Sequence, residues 1–268
     1  MKAIRLVAWA VYRESVRDRV PLTIVGFGIL LVCASYLISQ LTAGQDLKII
    51  KDLGLAALNV LGLLIAVFIG ISLVAKEVER RTIYSLLSKP LTREQFLLGK
   101  FFGLAMTLAV NLSAMVAAYY AVLFYQDIAA SDAQRAAWPA PAVDPRLLIA
   151  VVLIFGELML ITALALFFST FSSPLLSILL TLGLWVAGHF NHDLRNFSQV
   201  VDSIAATYLA RAAYYLLPNL APFNVKAEVV YGVPVSASHV VLTLAYALVY
   251  TSALLIAAMA IFRKKDFK

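Results

Sequence analysis

Six apolar runs dominate this chain and fix what it can fold into: 20–41, 53–75, 101–125, 147–168, 175–190 and 240–262. Five contain no Asp, Glu, Lys or Arg, and the fourth contains only Glu157. A helix crossing hydrocarbon needs about 20 mainly apolar residues, a length that all but the fifth run reach. Barrel strands would be about 10 residues of alternating polarity, which these are not. Lipid offers no hydrogen bonds to an open backbone, so helices are the spanning structure left. Only 14% of the residues are charged, against about 25% in a soluble domain. The expectation is an all-α membrane protein, a single transmembrane domain over 1–268 with six transmembrane helices. The first run has 22 residues, longer than the roughly 7–15 apolar residues of a signal peptide, so it reads as an uncleaved first span.

The charges between the runs sort by side. The segments 1–19, 76–100 and 263–268 carry fifteen Lys/Arg against six Asp/Glu. The segments 42–52, 126–146 and 191–239 carry seven against eight. Basic loops stay in the cytoplasm, so both termini are expected there. Topology thus accounts for the net charge of +7; no nucleic-acid motif accompanies it, and no nucleic acid is expected. The single cysteine, Cys33, excludes an internal disulfide and sits in an apolar run, where it reads as a small packing residue.

Segment 1–19 places Ile4, Val7, Ala8 and Val11 on one helical face, with Lys2, Arg5, Arg13 and Arg17 opposite. This predicts an amphipathic elbow helix along the cytoplasmic membrane surface. Segment 76–100, KEVERRTIYSLLSKPLTREQFLLGK, is the most charged stretch of the interior. Thr92-Arg93-Glu94-Gln95 has the form of a capping box, with Leu91 and Phe96 as its hydrophobic staple. A helix should therefore start near Arg93 and run into the third span. Pro90 resists continuation of any helix before it. Upstream, Ile83, Leu86 and Leu87 share a face, predicting a short amphipathic helix with Arg80 and Arg81 near its start. Cations at that end oppose the helix dipole by about 0.3–1 kcal/mol each, so docking on a partner would have to stabilise it.

The series Glu77, Arg81-Thr82-Ile83, Leu86-Leu87, Lys89-Pro90-Leu91 and Leu98-Gly99-Lys100 resembles the cytoplasmic loop of type-2 ABC-transporter permeases, the membrane subunits of bacterial exporters. Arg81 stands where Gly is common in that family. The resemblance extends to the N-terminal elbow, the six spans, Glu157 opening ELMLITALALFFSTFSSP, and LLPNLAPFNVKAE before the last span. It implies that 80–87 is a coupling helix seated in a groove of an ABC ATPase subunit. Arg80, Arg81, Thr82, Ile83, Leu86 and Leu87 would then lie at the ATPase interface, with Glu77 and Glu79 as charge partners. It also implies a second permease copy or paralogue, the bacterial cytoplasmic (inner) membrane, and outward transport of a substrate. The chain has no G-x-x-x-x-G-K-[ST] phosphate cradle. No cofactor is expected on it; ATP and Mg would belong to the partner ATPase, and the chain itself would not be an enzyme.

Glu157, midway along the fourth run, should face the bundle or a wet cavity, because an ionised carboxylate in lipid costs a few kcal/mol. It reads either as a packing group that pins helices or as a substrate or ion contact; Asn59, Asn111 and Ser113 are possible neighbours. An ion-coupled secondary transporter or channel is the alternative function, and a lipid-modifying enzyme lacks any supporting nucleophile or acid pair. His189, His192 and Asp193 are too few ligands to predict a metal site. Within 191–239, Val201, Ile204, Ala205, Tyr208 and Ala212 suit an external amphipathic helix before an extended return, and 126–146 reads as a stiff linker around Trp138-Pro139-Ala140-Pro141.

Overall fold

The apolar runs fold as helices whose own backbones satisfy their polar groups. A computed structural model describes residues 2–17, 19–39, 46–79, 92–190 and 217–264. The long helices are α1 Lys2–Arg17, α2 Arg19–Ser39, α3 Asp46–Glu79 and α4 Arg93–Ala129. A short α5 Asp132–Ala137 follows, then α6 Leu147–Ser169 and α7 Pro174–His189. A 3-10 turn, Ala221–Phe223, and α8 Lys226–Val230 precede the last helix, α9 Ala237–Lys264. No strand occurs among the described residues.

Among the described residues, four helices are long and apolar enough to cross a membrane: Leu47–Ile71, Arg93–Ala129, Leu147–Ser169 and Ala237–Arg263. The runs 20–41 and 175–190 also form helices, but their apolar stretches, Ile24–Leu37 and Pro174–His189, are shorter. The all-helical expectation therefore holds, while a count of six spans does not follow from helix length. In α3, 78% of the most apolar stretch is buried in the bundle, against 22% in α9. Helix α3 is accordingly the centre, touching α2, α4, α6, α7 and α8, and α9 lies outside, against α6 and α4.

Helix α3 starts earlier than its apolar run. Lys51 and Asp52 were expected in a loop, yet both are helical, and Lys51 is only 1% exposed. Its Nζ donates to the Pro141 carbonyl at 2.7 Å, and its own carbonyl accepts from Tyr119 Oη at 3.0 Å. A lysine can end an apolar helix this way because its long stem packs while its head reaches an acceptor. The segment after α4 is more than a linker. Ser131 and Gln134 form a second capping box that starts α5. Asp144 is buried and accepts from the Arg146 amide at 2.9 Å, and Tyr120 Oη donates to its carbonyl at 3.0 Å. These bonds tie one end of α3, α4 and α6 together. Cys33, expected to pack, is exposed on α2.

At the other end, α1 lies against the start of α4. Its apolar face contacts a pair of glycines one turn apart, Gly99 and Gly103. A β-carbon built at Gly99 would lie 2.6 Å from Val7 Cβ. One at Gly103 would lie 2.6 Å from Val11 Cβ and 2.7 Å from the Ala8 carbonyl oxygen. Small residues at this spacing let two helices approach backbone to backbone; here they lock the amphipathic N-terminal helix to α4. Ala8 and Val11 are buried as their shared face predicts. Replacing Gly103 with Leu should push α1 off α4 and lower stability by about 1–3 kcal/mol, the usual cost of overpacking. Thermal unfolding of the purified variant in detergent measures this; an unchanged midpoint would mean that α1 is not held there.

Candidate functional site

Two places in the fold concentrate polar side chains. The first is the start of α4. Thr92 is extended (φ −76°, ψ 151°), its hydroxyl accepts from the Gln95 amide, and the Gln95 side chain accepts from the Thr92 amide. The capping box read from the sequence is thus present. Arg93 Nη1 donates to the carbonyls of Phe262 and Arg263 at 3.3 and 3.1 Å. Those are among the open carbonyls that any helix leaves at its C-terminus, so Arg93 caps α9. The Phe96 and Phe262 rings stack 6.3 Å apart, and Lys100 Nζ stands 4.7 Å over the Phe96 ring. The start of α4 is therefore fastened to α1 on one side and to the end of α9 on the other. Glu77 and Glu79 belong to the last turns of α3 rather than to a loop. Arg80, Arg81, Thr82, Ile83, Leu86 and Leu87 lie outside the described residues, as do Leu91, His192, Asp193 and the helix expected around 201–212.

The second place surrounds Glu157, which is 1% exposed in the middle of α6. Trp185 Nε1 of α7 donates to Oε1 at 2.7 Å. Asn59 Nδ2 of α3 donates to Oε2 at 3.4 Å. His189 Nε2, one turn beyond Trp185, is 3.6 Å from Oε1, and its Nδ1 is 3.0 Å from the Trp185 carbonyl oxygen. Lys226 of α8 lies within electrostatic range of Glu157 and Asp52; burial lowers its ammonium below the ordinary lysine value, and those two carboxylates oppose the drop. Of the neighbours expected from sequence, Asn59 is confirmed. Asn111 and Ser113 instead bond carbonyls one turn back in their own helix. Trp185 was missed, although its spacing of four from His189 places both on one face of a helix.

The chain between 217 and 236 does not return as an extended connector. Leu220, Phe223, Val225, Val229 and Val230 are buried, packed on α3, α6 and α9. Two apolar cavities flank α6, about 460 Å³ against α4 and about 320 Å³ between α4 and α9; Phe155 lines both, and no charged side chain lines either.

A comparison with family models matches residues 6–267 to the ABC-2 family transporter proteins. The chain belongs to that family. It is therefore a membrane permease component of an ABC transporter, which favours that reading over an ion-coupled secondary transporter. No curated protein matches the chain.

In this permease the short Trp185 bond is the strongest contact of the buried carboxylate. Trp185→Phe keeps an aromatic, though smaller, side chain and removes the donor, and should lower stability by about 1–3 kcal/mol, the cost of orphaning a buried acceptor. Asn59→Leu, at a longer and weaker contact, should cost less. Unfolding midpoints of the two variants in detergent check the order; the reverse order would displace Trp185 as the main support of Glu157.

Proposed function

We propose that this chain is one half of an exporter, driven by a separate ABC ATPase subunit that binds ATP and Mg. The carrying observation is the family match over 6–267 in a chain without a phosphate cradle. The halves are six-span bundles, paired as two copies or with a paralogue and bathed in membrane lipid. They sit in the bacterial cytoplasmic membrane with both termini inside, and they move a substrate outward. The excess of Lys/Arg in 1–19, 76–100 and 263–268 supports that orientation. Helix α1 is then the elbow at the cytoplasmic surface.

In this reading 80–87 is the coupling helix. Ile83, Leu86 and Leu87 are its apolar anchor in the ATPase groove, and Glu77, Glu79, Arg80, Arg81 and Thr82 supply specificity. A few buried apolar anchors carry most of an interface's energy, while charges select the partner. Thrust on this loop reaches the start of α4, where the capping box, the Gly99–Gly103 contact and the Arg93 cap make α1, α4 and the end of α9 move together.

The double variant Ile83→Asp, Leu86→Asp should insert in the membrane normally and lose its ATPase partner. Co-purification of tagged permease with the ATPase from solubilised membranes reads this out. Intact complex in the double variant would refute the interface, and transport by the permease without any ATPase would refute the function.

A further inference from the structure

The Glu157 cluster has a chemistry that packing alone does not require. The Trp185 carbonyl can only accept, so the His189 Nδ1 beside it carries a proton. A neutral ring would then turn the lone pair of Nε2 toward Glu157 Oε1, 3.6 Å away. At that distance the two form a loose polar pair between α6 and α7, within ion-pair range and beyond a hydrogen bond. The pair is loosely built. Only the Trp185 bond is short, Asn59 is at 3.4 Å, and Asn59 Oδ1 is buried with no hydrogen-bond partner. Buried polar networks that serve only stability are normally satisfied.

Each member of the pair has a glycine neighbour on which the returning segment rests. Beside His189, the Gly188 carbonyl accepts from the Leu220 amide at 3.0 Å. A β-carbon built at Gly188 would be 2.7 Å from the Pro218 carbonyl oxygen. Beside Glu157, Gly156 faces the Phe223 ring at 3.4 Å by the same construction. Lys226, on the same segment, lies within electrostatic range of Glu157 and Asp52. The segment's seat and the polar pair are thus built from adjoining residues of α6 and α7.

We propose that Glu157 and His189 form a latch that holds the segment 217–232 in its seat against α3, α6, α7 and α9, and that the transport cycle opens it. Glu157 is a positioning residue here and not a substrate contact. The second half of this inference rests on the ATPase-driven reading; the first half does not.

The test places a cysteine at Val229, which lies on the seated segment and is fully buried, in a Cys33→Ser background. The rate of labelling by a membrane-impermeant maleimide is measured on the permease in nanodiscs. Glu157→Gln and His189→Gln keep polar side chains of similar reach but remove the carboxylate or the imidazole of the pair. Each should raise the rate about tenfold, the effect of losing roughly 1.4 kcal/mol, and the double variant should exceed neither single, because the two act as one unit. Unchanged labelling in both single variants, or fully additive effects, overturns the latch. Should Glu157→Gln fail to fold, His189→Gln alone decides by the same criterion. In the complex with its ATPase, trapping with ATP and vanadate should raise labelling of the otherwise unaltered chain. A nucleotide-insensitive rate in a complex that hydrolyses ATP overturns the opening step, while the variants in isolated permease still decide the latch whether or not that complex forms.

Discussion

Hydrocarbon will not hydrogen-bond to a protein, and this constraint organises the whole molecule. It forces each apolar run into a helix that satisfies its own backbone. It pushes charges to the ends, where Lys51 finds the Pro141 carbonyl and Arg93 finds the last carbonyls of α9. It leaves one carboxylate deep inside, Glu157, which gathers donors from α3 and α7 around itself. Association of the helices has little hydrophobic driving force in lipid, so close approach and polar contacts must hold them together. The glycine pair at 99 and 103 supplies the first and the Glu157 cluster the second.

Helices packed side by side connect these two devices. Helix α4 begins where α1 and α9 are fastened to it and runs past α3 and α6. Helix α3, mostly buried over its apolar stretch, touches both the Glu157 cluster and the returning segment. In the proposed cycle a displacement at the start of α4 passes through these packed helices, and the weakest bonds along the way yield first. The loosely satisfied pair of Glu157 and His189 is such a place.

Much of this was legible in the sequence where the signal is local. Thr92 and Gln95 announce the start of α4, because a capping box needs only four adjacent residues. The same logic would have found α5, since Ser131-Asp132-Ala133-Gln134 has the same form. The runs 101–125, 147–168 and 240–262 fall inside long apolar helices. Charge misled at Lys51 and Asp52: polarity argued for a loop, but a carbonyl ninety residues away supplies the partner. The Glu157 cluster was only half visible. Asn59 was named as a neighbour, whereas Trp185 and His189 meet Glu157 only once α7 has packed on α6. The inward turn of 217–236 was invisible for a similar reason. Its prolines and small residues suit an extended connector, and Leu220 and Phe223 are buried only once α6 and α9 have packed beside them.

The family assignment gives the chain its class, and the geometry gives that class a route for work from one end of the bundle to the other. The most direct measurement of that route is a distance across it. Spin labels at the exposed Glu94 and Asn224 positions, in the complete transporter in nanodiscs, report it by pulsed dipolar spectroscopy with and without trapped nucleotide. The account predicts a shifted distance distribution when ATP is bound. A distribution that stays fixed while the complex hydrolyses ATP would contradict it.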